Sequence, residues 1–178
     1  RVLSLARAAP YRVGIADSVP KSLAWRVVEP ALRLETPVRL VCREGRLATL
    51  LADLAVHRLD IVVADRPIPA DLNVRAYNHR LGASDLTIFA ATALVAGLTG
   101  AFPAMLDGAA FLMPGEGVAI RRGLEQWFDA AGVRPRIVGE FDDSALMKAF
   151  GQGGAGCFAA PNAMADYVCR HYGVQAIG

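Results

Sequence analysis

Lysine is nearly missing from this chain: of 19 basic residues only Lys21 and Lys148 are lysine, and the arginines are scattered along its length. Set against 17 acidic residues, they leave a formal net charge of only +2. A positive charge so small and so dispersed makes no stripe that could follow a phosphate backbone, so the chain by itself is not expected to grip nucleic acid. Cysteine is scarce too. Cys42, Cys157 and Cys169 form no CxxC pair and leave an odd thiol. With Cys42 and Cys157 in apolar strand-like runs, the pattern points to buried free thiols in a reducing compartment rather than to a disulfide framework. No signal peptide opens the sequence, so a cytoplasmic location is expected, and Arg1 in place of methionine indicates a piece of something longer.

Catalytic chemistry is missing as well. There is no GxSxG nucleophile turn, no HExxH and no paired Cys/His spacing for zinc. His57 ends a helix-like run, where an imidazolium suits the negative end of the helix dipole. His79 falls in a crossing strand and His171 near the end of the chain, both in structural or solvated settings. Without a nucleophile beside a base, the chain does not read as an enzyme. One uncharged run, LTIFAATALVAGLTGAFPAML at residues 86–106, is long enough to cross a bilayer. Gly97, Gly100 and Pro103 punctuate it and no aromatic belt flanks it, so it reads as a buried strand (86–91) followed by a small-residue helix or loop, with no membrane partner.

What is present is a globular composition, 54% hydrophobic and 20% charged. A chain of 178 residues can bury one core or two lobes of roughly 80–100 residues each. The first ten residues, RVLSLARAAP, look like the frayed end of a helix. Strand-like runs at 11–16, 38–42 and 59–64 alternate with helical patterns through Leu32 and over 46–58, where Leu47, Leu50, Leu51, Leu54 and Ala55 recur at helical spacing. This β-α-β-α-β opening predicts a parallel α/β lobe with right-handed crossovers. After strands expected at 73–78 and 86–91 the alternation returns. Strands are predicted at 110–113, 136–141 and 155–160, helices at 117–131, 142–150 and 161–172, and a last strand at 174–177. Gly151, Gly153, Gly154 and Gly156 follow a helix and precede a strand, the reverse of a phosphate-binding loop, and predict a tight αβ turn.

Polar groups collect where strands hand over to helices: Asp17-Ser18, Glu44-Gly45, Gly115-Glu116 and Asp142-Asp143-Ser144. Any one of these could simply be a helix cap. Four of them, drawn from both halves of a two-lobed α/β chain, predict a ligand-binding cleft lined by strand carboxyl ends and helix amino ends.

The order RVGIAD, VRLVCREGRLATLLADLAVHRLDIVVAD and NVRAYNHRLGASDLTIFAA resembles the effector-binding domain of LysR-type transcriptional regulators. Glu44-Gly45, Leu50-Leu51, Leu54, His57 and Leu59-Asp60 carry that likeness, which extends over residues 11–178. HRLDIVVADRPI and GEFDDSALMKAFG look close to a member that activates sodium/proton antiporter expression. The resemblance implies an α/β fold of two Rossmann-like lobes with a central cleft, like type 2 periplasmic binding proteins. Lobe I would be residues 11–82 plus 161–178, and lobe II 83–160. An N-terminal winged helix-turn-helix would be absent, residues 1–10 would be the end of its linker helix, and a strand and closing helix would follow Ile177.

The implied function is an effector-sensing regulatory domain of an activator, responding to sodium and pH. Its effector would be sodium or a small molecule, with no other cofactor. Its partners would be operator DNA through the missing domain, RNA polymerase in the full-length protein, and further copies in a homodimer or homotetramer. Self-association is expected through residues 38–42 and the helix at 46–58. Effector-contacting residues would be Asp17, Ser18, Glu44, Asp65, Gly115, Glu116, Asp142, Asp143 and Pro161, with Asp142 and Asp143 as sodium ligands. Bare helix amino ends favour anions, so sodium would need several carboxylates brought together, and protons would then compete for the same oxygens. A solute-binding protein of a transporter would share this fold and is the alternative reading.

Overall fold

In the computed structural model, which describes residues 9–70, 72 and 74–178, the first apolar run becomes strand β1 (Ala9–Ala16). It is followed by helix α1 (Lys21–Val28), strand β2 (Val38–Gly45), helix α2 (Leu47–Ala55) and strand β3 (Ile61–Val63). The three strands are parallel in the order β2-β1-β3, with Val13 beside both Cys42 and Ile61. On α2 the spacing of Leu47, Leu50 and Leu51 puts all three on one face, where they close a core with Ala16, Val19, Ala24 and Leu59. Gly14 lets this happen: a Cβ there would stand 2.7 Å from Leu59 Cδ1. His57 ends the α2 turn in the left-handed region, at φ 57°, with its N–H donating to the Leu54 carbonyl. These elements lie in a compact unit, Arg1–Arg80.

A second unit, Leu81–Gly178, holds the remaining elements. These are β4 (Leu86–Ala91), α3 (Thr92–Val95), β5 (Ala110–Pro114), α4 (Ile120–Ala131), β6 (Arg136–Phe141), α5 (Ser144–Gln152), β7 (Phe158–Pro161), α6 (Ala165–Tyr172) and β8 (Val174–Ala176). β4 is flanked by β7 and β8, both antiparallel to it, while β5 and β6 pair in parallel. A parallel bridge between Phe111 and Cys157 aligns β5 with the entry to β7. The core gathers Ile88, Leu106, Phe111, Met113, Leu124, Phe128 and Cys157. The glycine-rich turn is as expected: α5 stops at Gly153, Gly154 takes φ +80°, and the Ala155 N–H returns to the Phe150 carbonyl.

Four expectations are corrected. Residues 161–178 do not join the first unit: β8 pairs with β4 in the register Phe89↔Ala176, and Gly173, at φ 62°, turns α6 back onto that sheet. The strand expected at 73–78 is absent from residues 74–78, which have no ladder partner and leave Tyr77 90% exposed. Asn73 and residues 1–8 of the expected linker lie outside the described residues, and Ala9 and Pro10 already belong to β1. Finally, Cys42 is exposed, because β2 is the edge of its sheet; only Cys157 is buried and Cys169 is partly so. Among the described residues no helix is long and apolar enough to cross a membrane.

The thiols should therefore separate sharply. Burial pushes the Cys157 thiol up to about 11, against a weaker opposing effect of a backbone hydrogen bond. In the native protein at neutral pH, a thiol reagent should label Cys42 at least about a hundred times faster than Cys157. Peptide mapping after partial labelling checks this, and equal rates would contradict the burial.

Candidate functional site

Parallel strands end on the same side, so each unit has a rim of carboxyl ends, and every candidate residue lies on one of the two rims. In the first unit Asp17 and Ser18 follow β1, Glu44 is the last residue but one of β2 and Asp65 lies past β3. The Asp17 N–H donates to the Gly45 carbonyl at 3.0 Å, joining the ends of β1 and β2. None of these side chains caps a helix. The cap of α1 is Pro20 and that of α2 is Arg46, neither with a side-chain cap bond. Glu44 instead accepts a 2.6 Å ion-paired hydrogen bond from Lys21, both side chains being more than half exposed. Lys21 was missed by the sequence reading, although a lysine opening a helix behind Asp17-Ser18 in a lysine-poor chain was a usable signal.

In the second unit the neighbouring acids divide. Asp143 is the cap of α5: its Oδ1 accepts from the Leu146 N–H at 2.6 Å. Asp142 makes no hydrogen bond or ion pair with any described residue and is exposed. Its carboxylate lies over Gly115, where an added Cβ would collide with Asp142 Oδ1. The Gly115 N–H donates to the Phe141 carbonyl at 2.7 Å, so this contact is set by the last rungs of β5 and β6. Glu116 is exposed beside Gly115 and is not a cap, since α4 begins behind Ala119 without a side-chain bond. Pro161 ends β7, opposite Leu86, and opens a short 3-10 turn.

Two basic side chains in this unit escaped the sequence reading. Arg121 donates through Nη1 to the Pro114 carbonyl at 3.0 Å and to Glu140 Oε2, and through Nε to Glu125 Oε1 at 2.8 Å. Glu140 first, and then Glu125, hold its proton more firmly than usual. Arg121 and Glu125, with Glu116, Val118 and Arg122, line an open recess of about 400 Å³. Lys148 is 7% exposed on the inner side of α5, and among the described residues its ammonium reaches only Ser144 Oγ, at 3.3 Å. Burial lowers its pKa, partly opposed by the charge of Asp143.

No group of three or more His, Cys, Asp and Glu side chains that could hold a metal ion occurs among the described residues. Asp142 and Asp143 are thus not joined by a third such ligand, and Asp143 already serves the helix end.

The LysR substrate binding domain family matches residues 7–177. The chain belongs to that family. This LysR domain is 34% identical over 151 residues to the transcriptional activator protein NhaR of Escherichia coli (strain K12), covering 85% of this chain and 49% of that protein. The NhaR of Shigella flexneri matches to the same extent, so the chain spans about half the length of the curated relatives it matches. Among solved structures, the apo regulatory domain of HypT from Salmonella typhimurium superposes with a TM-score of 0.70 at 15% identity, over 96% of this chain and 79% of that one. The reduced regulatory domain of OxyR2 from Vibrio vulnificus gives 0.68 at 16%, over 96% and 79%. The effector binding domain of QuiR in complex with shikimate gives 0.64 at 12%, over 96% and 80%. These likenesses establish the α/β fold of LysR regulatory domains, the type 2 periplasmic-binding-protein architecture. The matched proteins are named as an activator and as regulatory or effector-binding domains, not as enzymes.

Proposed function

We propose that this LysR domain is the effector-sensing regulatory part of a cytoplasmic transcriptional activator that responds to sodium, and through competing protons to pH, to control sodium/proton antiporter expression. Operator DNA would be bound by a separate N-terminal domain, and the full-length protein would act on RNA polymerase as a homodimer or homotetramer. The 34% identity to NhaR supports this reading. The observation that carries it at the level of residues is Asp142, a carboxylate left unpaired on the rim of the second unit while its neighbour is spent as a cap. A hard cation takes oxygen ligands, and an exposed carboxylate with no hydrogen bond to another described residue can supply one without breaking an existing bond. A second reading, a small organic anion as effector, is supported by the QuiR domain bound to shikimate and the CcmR regulatory domain in complex with 2-PG.

The test separates the two acids. Asp142→Asn is expected to leave unfolding stability within about 0.5 kcal/mol of wild type and to abolish the sodium-dependent change, read by sodium titration at constant ionic strength with potassium as the replacement. Asp143→Ala should cost about 1 kcal/mol through the lost cap and keep the sodium response. An Asp142→Asn protein with the full response would exclude Asp142 as a sodium ligand.

A further inference from the structure

We propose that Arg121 is the positioning residue of the second unit's rim, tying the end of β5 to the end of β6 and so holding Gly115 under the Asp142 carboxylate. This rests on the rim being the effector-contacting surface, as proposed above. The parallel β5–β6 ladder is irregular between Phe111 and Leu112 and ends at the pair Pro114↔Phe141. Proline has no N–H, so the last residue of β5 cannot donate to its neighbour. Beyond that point the described residues make two connections: the Gly115 N–H to the Phe141 carbonyl, and Arg121. One guanidinium reaches the Pro114 carbonyl on β5, Glu140 on β6 and Glu125 one turn along its own helix.

The Arg121 side chain is only 19% exposed, whereas its partners Glu125 and Glu140 are 51% and 52% exposed. The cation is thus inside and the acids outside, so the arginine is anchored inward to the strand ends. With two carboxylates already on it, Arg121 is not free to pair a ligand; its effect on the rim is through the backbone of Pro114 and Gly115. A lysine cannot reproduce this, because an ammonium on a flexible stem lacks the planar fork that reaches three acceptors at once. Partly exposed ion pairs add little to global stability. The loss should therefore be local.

The experiment compares wild type, Arg121→Lys, Arg121→Gln and Glu140→Gln by amide hydrogen exchange and by sodium titration, with potassium holding the ionic strength constant. Gly115 protection is expected to fall at least tenfold in both Arg121 variants and less in Glu140→Gln. The Val133 amide, bonded to the Phe128 carbonyl at the far end of α4, should keep its protection. The sodium midpoint should rise at least threefold in Arg121→Lys as well as in Arg121→Gln. Unchanged Gly115 protection in both variants overturns the proposal, as does a sodium midpoint that stays put when that protection is lost. Rescue of both readouts by lysine would show that charge alone suffices, and would also overturn it. If wild type shows no sodium response, the sodium reading fails and exchange alone decides for Arg121. If both Arg121 variants unfold, Glu140→Gln decides: an unchanged Gly115 amide there overturns the proposal.

Discussion

Phe111→Ala is expected to destabilise the second unit by about 3–5 kcal/mol, the range for truncating a fully buried aromatic. Phe111 has no exposed surface and stands edge-on to Phe128 at 5.1 Å. It also occupies the bridge to Cys157 that joins the β5–β6 pair to β7. Truncation therefore opens a cavity where, among the described residues, the parallel and antiparallel strands of this unit meet. Domains of this size are stable by only about 5–15 kcal/mol, so the variant should stand near the edge of unfolding. Urea unfolding followed by Trp127 fluorescence measures it, since the Trp127 ring lies 5.5 Å from Phe128. Phe150→Ala is the comparison: Phe150 is 49% exposed on α5 and touches Phe141 at 5.1 Å, so its loss should cost about 1 kcal/mol or less. Equal costs for the two would mean that the core around Phe111 collapses to fill the space.

Strand β6 matched its expected span residue for residue, and so did β4: β4 is a short apolar run, and β6 carries Ile137-Val138 between the turn at residues 132–135 and Asp142-Asp143. The expected helix over 46–58 shrank to Leu47–Ala55, chiefly because the chain turns out of the helix at His57 (φ 57°), and that over 117–131 shrank to Ile120–Ala131, whose amino end no side chain caps. The side to which residues 161–178 belong was not legible. It depends on β4 pairing with β7 and β8 across gaps of about 70–90 residues, and local periodicity carries no record of such partners. At the site, the rims were legible because strand-to-helix junctions carry Asp, Ser, Glu and Gly at recognisable positions. The division of labour at Asp142-Asp143 was not. Both fit a cap equally well in sequence, and only the Leu146 N–H bond to Asp143, with Asp142 lying over Gly115, shows which one is left over. Arg121 and Lys148 escaped for a related reason: their positions on helices α4 and α5 look like ordinary charged turns until burial is known.

Lys148→Met is expected to stabilise the protein by about 1–2 kcal/mol at neutral pH, because it replaces a buried charge that has no carboxylate hydrogen-bonded to it with an apolar side chain of similar length. The pH dependence tests the cause. Burial lowers the Lys148 pKa in the folded state below the 10.5 of the free side chain. Between those two values the unfolded chain holds more protons than the folded one, so this group makes wild type more stable as pH rises. Its contribution is complete above 10.5 and is lost as pH falls through the lowered folded value. Cys157 works the other way. Its folded value of about 11 lies above the ordinary 9.0, so its contribution is present below 9.0 and fades as pH rises towards 11. The difference between wild type and Lys148→Met cancels Cys157, which both proteins share. That difference should be largest near neutral pH and shrink steadily towards pH 10.5, measured as the urea midpoint at a series of pH values. A constant difference across the series would mean that methionine acts by packing alone and that Lys148 is not charged in the folded protein at neutral pH. A loss of stability at every pH would show that the ammonium, through Ser144 and Asp143, is worth more to the start of α5 than its burial costs.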